Sequence, residues 1–176
     1  MTRIINFVRQ AGSHSDFESC IDPHLERLWH LALRLQGNPA DAEDLLQDLL
    51  RRAWRHRTEL LSREAPGAWL AKVLYRLHVD RWRRRQPVAE LSLDDPASPI
   101  ALPTDNAQAE AILAGITHAE LMSVMMTLPE AQRTVLLMHD AEGYTLDEIG
   151  HIQDVPVGTL KSRLHRARTA VRNKFK

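Results

Sequence analysis

Residues 145–176 read TLDEIGHIQDVPVGTLKSRLHRARTAVRNKFK, and this stretch predicts two helices joined by a short turn. Thr145 and Glu148 have the spacing of a capping box, in which each side chain satisfies a backbone N–H at the start of the first helix. Pro156 suits the first position of the second helix, because its ring already fixes a helical φ. The stretch therefore predicts a helix-turn-helix unit.

The second of these helices separates into an apolar and a polar face at about 100° per residue. Leu160, Leu164 and Ala167 lie on the apolar face. Short polar groups in the middle of the polar face could reach base edges, while flanking cations would lie near phosphates. The candidate DNA-binding residues are Thr159, Lys161, Ser162, Arg163, His165, Arg166 and Arg168. A solvated basic face is the alternative, but the capped first helix and tight turn favour DNA.

Charge is unevenly distributed along this chain, although its 23 Lys and Arg balance its 23 Asp and Glu. Eleven of the cations lie between Arg51 and Arg85, and seven follow Pro156. Between Gln86 and Leu160 there is one cation, Arg133, against twelve acids. Two basic regions flank an acidic stretch, which is compatible with nucleic-acid binding despite a net charge of zero.

Other classes of protein are disfavoured by what the sequence lacks. Cys20 is the single cysteine, so neither an intrachain disulfide nor a cysteine-based zinc site can form, as suits a reducing cytoplasm. The apolar run from Ile4 to Val8 is too short for a signal peptide or a membrane span. The nine histidines are scattered, and no phosphate loop or nucleophile–base pair is present. We therefore expect a cytoplasmic protein without a cofactor, a metal, a small-molecule substrate or enzymatic activity.

The first half of the chain predicts a helical domain. A helical pattern runs from Leu25 to Leu35 and stops at Gly37, after which Asn38 can cap a second helix that begins at Pro39. That second helix has a broad apolar stripe from Ala42 to Trp54. Its other faces are acidic early and basic late, which stabilises the helix dipole and could equally form a docking surface.

A loop over residues 56–65 and a third helix from Pro66 complete this domain. The predicted core positions of the third helix are Trp69, Leu70, Val73, Leu74 and Leu77. Its other faces interleave aromatic and cationic side chains, the combination that binds unpaired bases and their backbone. Trp69 is expected in the core because of its place on the stripe, whereas Tyr75 and Trp82 suit either role.

The predicted architecture is all-α, with two small helical domains joined by a flexible acidic linker. We expect an N-terminal arm at 1–20, a first domain at 21–86, a linker at 87–118 and a second domain at 119–176. The linker contains four prolines and several acids but no cation, a composition that does not pack alone.

Two blocks of the sequence resemble one family, the sigma-70-type RNA polymerase sigma factors of the extracytoplasmic-function (ECF) group. LERLWHLALRLQGNPADAEDLLQDLLRRAW with APGAWLAKVLYRLHVDRWRRR, between Leu25 and Arg85, resembles the family's region 2. LPEAQRTVLLMHDAEGYTLDEIGHIQDVPVGTLKSRLHRAR, from Leu128 to Arg168, resembles region 4. The blocks occur in the family's order with a linker of the expected kind between them.

The resemblance implies a transcription initiation factor that binds core RNA polymerase and directs it to promoter DNA. Its implied core-binding residues are Asp41, Asp44, Gln47, Asp48 and Arg51. Its implied residues for opening and reading the −10 element are Arg57, Arg63, Lys72, Tyr75, Arg76, Val79, Arg83 and Arg84. The helix-turn-helix unit would read the −35 element. The family also implies an anti-sigma partner, commonly bound to the membrane.

A different class of protein fits the same helix-turn-helix. The chain could be a transcriptional regulator that binds duplex DNA without polymerase, with the first domain serving dimerisation or sensing. That hypothesis predicts a stable homodimer on a palindromic site, whereas the resemblance predicts a monomer or a chain held by a partner.

Overall fold

A computed structural model describes residues 15–85 and 118–175 of the chain. The chain divides into two compact units, and we use unit 1 for residues 15–85 and unit 2 for residues 118–175. All regular structure in these two stretches is helical, as predicted. Most of the predicted arm and of the predicted linker lies outside the described residues.

Unit 1 contains four helices, of which three form its bundle. They are α1 (Ser15–Gln36), α2 (Pro39–Arg55), the short α3 (Arg57–Leu61) and α4 (Pro66–Arg85). Helix α1 packs against α2 and α4, and α2 also packs against α4. Leu31, Leu45, Leu49 and Leu74 are completely buried between them. Burial of such side chains, at about 1.5–3 kcal/mol each, is the main force that holds the bundle together.

Helix α1 begins ten residues before Leu25, where the sequence pattern first became helical, and thus within the segment expected to be an arm. Phe17 and Ile21 are buried and extend the apolar stripe toward the N-terminus. Phe17 also packs edge-on against Trp54, with ring centroids 5.1 Å apart. Pro23 lies inside the helix and interrupts the pattern, which is why the earlier start was not predicted.

The predicted start of α2 is confirmed. Gly37 adopts a φ of +75°, which ends α1, and the Asn38 side chain accepts a hydrogen bond from the Asp41 backbone N–H at 2.8 Å. Pro39 occupies the first helical position. The buried residues of α2 are those of the predicted stripe, Ala42, Leu45, Leu46, Leu49, Leu50 and Ala53, while Trp54 is only partly buried.

Two details between α2 and α4 differ from the prediction. The expected loop at 56–65 contains helix α3, which is anchored by the fully buried Leu60. In α4, Leu70, Val73 and Leu74 are buried as predicted, but Trp69 and Leu77 are only partly buried. Ala71 and His78 are buried instead. The face of α4 that meets α1 and α2 is rotated toward these two residues.

Unit 2 is built from shorter helices. They are α5 (His118–Met126), α6 (Glu130–Leu136), α7 (Leu146–Gln153) and α8 (Val157–Lys174), with a π-helical turn over Leu137–Ala141 that directly follows α6. Helix α8 packs against α5 and α6. The core includes Val135, Met138, Ile149 and Leu160, all completely buried. Arg133, the single cation of the acidic stretch, is nearly buried and paired with Glu130.

The helix-turn-helix predicted from residues 145–176 is confirmed. Thr145 Oγ1 accepts from the Glu148 backbone N–H at 3.2 Å, and Glu148 Oε2 accepts from the Thr145 backbone N–H at 2.8 Å. The turn from α7 to α8 passes through Asp154, which has a left-handed φ of 58°. The Asp154 backbone N–H bonds to the Gly150 carbonyl and closes the end of α7.

The left-handed backbone at Asp154 yields a stability prediction. We expect Asp154→Val to destabilise unit 2 by roughly 1–2 kcal/mol, because a β-branched residue is strained at positive φ. Asp154→Gly should destabilise it less than Asp154→Val, since glycine adopts this conformation without strain. Thermal unfolding followed by the backbone amide NMR signals of unit 2 measures both variants. Equal losses of stability would contradict a conformational role for this position.

Candidate functional site

The predicted DNA-binding residues of α8 all lie outside its buried stripe. Leu160, Leu164 and Ala167 form that stripe and are at most 5% exposed. Lys161 and Arg168 are exposed, and the other predicted contacts are partly exposed. Helix α8 contains no acidic residue from Val157 to Lys174. One helix therefore presents a row of cations and short polar groups to solvent, the arrangement needed for a major groove.

The Ser162 hydroxyl already donates a hydrogen bond within α8. Its Oγ donates to the Thr159 carbonyl at 2.9 Å, a bond within α8. The hydroxyl keeps its lone pairs, so it can still accept a hydrogen bond, for example from an amino group on a base edge.

Arg168 was predicted to contact DNA, but in unit 2 its guanidinium is engaged by Asp140. Arg168 Nε donates to Asp140 Oδ2 at 2.9 Å, and Nη2 donates to Oδ1 at 2.5 Å. His139 Nδ1 lies 2.7 Å from Asp140 Oδ1. Asp140 and His139 belong to the π turn, 28 residues before Arg168. The pair could not be predicted from the sequence, because no local pattern links the π turn to α8.

The pair shifts the pKa values of both partners. Partial burial raises the pKa of the Asp140 carboxyl, but hydrogen bonds from Arg168 and His139 and their charges outweigh this effect, so that the pKa lies below its usual value. The hydrogen bond to Asp140 raises the pKa of Arg168. Both side chains remain more than a third exposed, so solvent screens their attraction.

These pKa shifts predict how the pair depends on pH. Because the pKa of folded Asp140 is depressed, its contribution to stability is present above the unfolded pKa of about 4 and is lost as pH falls through the folded value. The difference in unfolding free energy of unit 2 between the wild type and Asp140→Asn should therefore shrink below about pH 4.

Denaturation followed by the NMR signals of unit 2 measures that difference, and tryptophan fluorescence does not, since all four tryptophans lie in unit 1. Repeating it in a His139→Gln background shows how much of the difference depends on the neighbouring imidazole. A difference that stays constant down to pH 2 would refute the assignment.

The predicted −10 surface of unit 1 extends from α3 along α4. Arg57, Arg63 and Arg76 are exposed, as are Arg83 and Arg84, while Lys72, Tyr75 and Val79 are partly exposed. The surface therefore combines cations with an aromatic ring, as the sequence predicted. Such surfaces bind unpaired strands through stacking and phosphate contacts.

Two tryptophans of this region lie beneath arginines. The Arg57 guanidinium carbon is 4.6 Å from the centre of the Trp54 ring, and that of Arg63 is 5.8 Å from the centre of the Trp69 ring. The His56 ring lies 6.2 Å from Trp69. The expectation that Trp69 is a core residue is thus wrong. Its ring lies at the rim of the bundle, where Arg63 and His56 flank it.

The predicted core-binding residues lie along α2, and several are held by α4. Asp48 accepts from Arg51 at 2.5 Å and also pairs with Arg81. Asp41 lies 3.2 Å from Arg85. The hydrogen bond from Asn38 is the main cause of the lowered pKa of Asp41. Arg81 and Arg85 therefore brace α4 against α2.

Asp44 differs from these acids in its environment. It is exposed on α2, with the partly exposed Gln47 one turn later. This part of α2 leaves the Asp44 carboxylate accessible to a partner, whereas Gln47 Oε1 already accepts a hydrogen bond from Arg51 at 3.3 Å. The bracing role of Arg81 and Arg85 could not be found from the sequence, because it depends on α2 and α4 running antiparallel.

The two stretches that the structure describes offer no candidate for a membrane span or a metal centre. No helix there is long and apolar enough to cross a lipid bilayer. No three His, Cys, Asp or Glu side chains within 15–85 and 118–175 come together as a possible metal site.

Comparisons with known proteins match both units. The family model for sigma-70 region 2 matches residues 20–88, and that for sigma-70 region 4 matches residues 118–171. The ECF RNA polymerase sigma factor SigW of Bacillus subtilis is 27% identical over 171 residues, covering 94% of this chain and 91% of that protein. The ECF sigma factor SigL of Mycobacterium tuberculosis is 30% identical over 155 residues, covering 86% of this chain and 84% of that protein.

A solved structure shares the fold. It is the sigma factor RpoE of Bartonella quintana in complex with the anti-sigma factor NepR, with a TM-score of 0.67 and 23% identity over 90% of this chain and 95% of that one. The family models, the identity to SigL and the helix-turn-helix geometry agree. The chain belongs to the sigma-70 family of RNA polymerase sigma factors, in its ECF group.

Proposed function

We propose that this chain binds core RNA polymerase and directs it to promoters, with unit 1 opening and reading the −10 element and unit 2 reading the −35 element. One structural observation supports the proposal in addition to family membership. Each unit bears its own cationic surface, one at the end of α4 and one along α8. Two separate DNA-binding surfaces suit a protein that contacts two promoter elements.

Unit 1 has the side chains needed to hold an opened strand. Arg83 and Arg84 are exposed cations that can follow phosphates, and Tyr75 offers an aromatic ring for stacking. The rim residue Trp69, flanked by Arg63, adds a second ring to this surface. The first domain, predicted at 21–86, is proposed to extend back to Ser15, where α1 begins, so that the arm predicted at 1–20 is shortened accordingly. The second domain at 119–176 and a linker at 87–118 that threads the polymerase near the RNA path complete the proposal.

The exposed carboxylate of Asp44 on α2, together with Gln47, supports a docking role for this helix. We place core polymerase there. Asp41 and Asp48, which are braced by α4, and Arg51, which pairs with Asp48 within α2, would lie at the edges of the contact. We also propose that an anti-sigma protein holds the chain inactive by covering the polymerase-binding faces. The chain would act in the cytoplasm, without catalysing a reaction itself.

A pull-down with core polymerase tests the proposal. We expect the wild type to be retained, and Asp44→Arg to reduce retention at least about tenfold, because it reverses a charge in the contact. Glu26→Arg is the matched control, since Glu26 is an exposed acid on α1 and not on α2. Absence of any association would refute the proposal. A stable homodimer on a palindromic site would support the regulator hypothesis instead.

A further inference from the structure

We propose that Asp140 is a positioning residue for the recognition helix α8, and that Arg168 serves this internal contact rather than a DNA phosphate. The proposal rests on the proposed function, because it concerns how unit 2 presents α8 to a −35 element. Arg168 is thereby removed from the predicted DNA-contacting residues. Asp140, which the sequence did not indicate, acts on DNA binding only through Arg168 and α8.

The geometry of the contact favours one rotation of α8 about its axis, in addition to the packing of its buried stripe. Two parallel N–H···O bonds, at 2.9 and 2.5 Å, join the guanidinium of Arg168 to both carboxylate oxygens of Asp140. Such a fork holds the two planar groups in one relative orientation, which a single bond would not. Arg166 precedes Arg168 by two residues, roughly 200° around the helix. Fixing Arg168 on one side of α8 therefore sets the direction in which Arg166 points.

The carboxylate closely follows residues that are anchored in the core of unit 2. Leu137 and Met138, which precede it in the π turn, are 3% and 0% exposed. The Glu142 backbone N–H donates to the Leu137 carbonyl at 3.1 Å and closes the turn. His139 supplies a second contact to the same carboxylate, with its Nδ1 2.7 Å from Oδ1. Asp140 is thus a fixed point from which the later half of α8 can be held.

Lys161 provides an internal comparison. It lies seven residues before Arg168, which places both on the same side of α8. Lys161 is exposed, whereas the Arg168 guanidinium is already paired with a carboxylate. If α8 enters a major groove, Lys161 has the freedom to meet a phosphate, and Arg168 would first have to give up two charge-assisted bonds.

The test combines four variants in the holoenzyme, Arg168→Gln, Arg168→Lys, Asp140→Asn and the double variant Asp140→Asn/Arg168→Gln. Lysine keeps the charge that a phosphate contact needs but cannot make the fork. We expect each single variant, including Arg168→Lys, to weaken promoter binding by at most about fivefold, because an exposed ion pair contributes no more than this to an equilibrium. The double variant should bind no more weakly than either Arg168→Gln or Asp140→Asn, because all three lose the same contact.

Salt dependence of promoter binding separates positioning from phosphate contact. Lys161→Gln should reduce the slope of log K against log salt by about 0.9, whereas Arg168→Gln should leave it unchanged. A reduced slope in Arg168→Gln, with wild-type binding by Arg168→Lys, would assign Arg168 to a phosphate and overturn the proposal. Tighter binding by Asp140→Asn would also overturn it, since Asp140 would then be holding Arg168 away from DNA.

Hydrogen exchange in the free full-length chain provides a readout that needs neither polymerase nor promoter. The amides in the later half of α8 should exchange faster in all four variants than in the wild type. Their exchange rates should be unchanged in Lys161→Gln. If the wild-type holoenzyme failed to bind any promoter, the proposed function would be refuted. Hydrogen exchange would still test whether Asp140 holds the later half of α8. Unchanged exchange in Asp140→Asn would refute the positioning role.

Discussion

Replacement of Arg166 by alanine is expected to reduce discrimination between base pairs at one position of the −35 element. The loss should be roughly 1–3 kcal/mol, about 5- to 150-fold in relative affinity. Arg166 lies on the polar side of α8, flanked by the partly exposed His165 and opposite the internally paired Arg168. A guanidinium in this position can make a bidentate contact to a guanine edge, and such contacts discriminate strongly against other bases.

Competition among promoters that differ at single −35 positions measures the effect. The Arg166→Ala holoenzyme should lose its preference at one position and keep it at the others. Arg172→Ala is the matched control, because Arg172 is an exposed cation near the end of the same helix. An equal loss on every sequence would show that Arg166 contacts a phosphate instead.

Neutralising Arg83 and Arg84 together should lower open-complex formation and make it less sensitive to salt. Both residues are exposed at the C-terminal end of α4. Each phosphate contact contributes about 0.7 to 0.9 to the slope of log K against log salt, so the double substitution should reduce that slope by roughly 1.4 to 1.8. Fluorescence of an unpairing base at the −10 element, measured across a salt series, reports the change.

The chain contains a matched control for this experiment in the same helix. Arg81→Gln with Arg85→Gln removes two cations as well, but these are the ones paired with Asp48 and Asp41. Their loss should lower the stability of unit 1, seen by tryptophan fluorescence, with little change in the salt slope. If the Arg83 and Arg84 variant kept the wild-type slope, those arginines would not contact the opened DNA.

Local signals in the sequence predicted much of the fold. The capping box at Thr145 and the helix start at Asn38 are confirmed because each depends on residues three apart, whose geometry is fixed by the backbone itself. The buried stripe of α2 is confirmed for the same reason, since helical periodicity decides which residues share a face.

Tertiary packing decided the features that the sequence did not predict. The register of α4 left Trp69 at the rim and buried Ala71, and periodicity alone could not distinguish these neighbouring faces. The pairs that hold Arg81 and Arg168 join residues 33 and 28 positions apart. The sequence identifies these side chains as cations, but their partners are known only once the helices are placed.

The measurement that tests the whole account most directly is transcription in vitro by core RNA polymerase with and without this chain, on a library of promoter templates. The account predicts initiation at defined start sites only when the chain is present. It further predicts that the templates used share −35 and −10 elements at a constant spacing. If the chain failed to stimulate initiation on any template while still binding duplex DNA as a homodimer, the account would be contradicted and the regulator hypothesis supported.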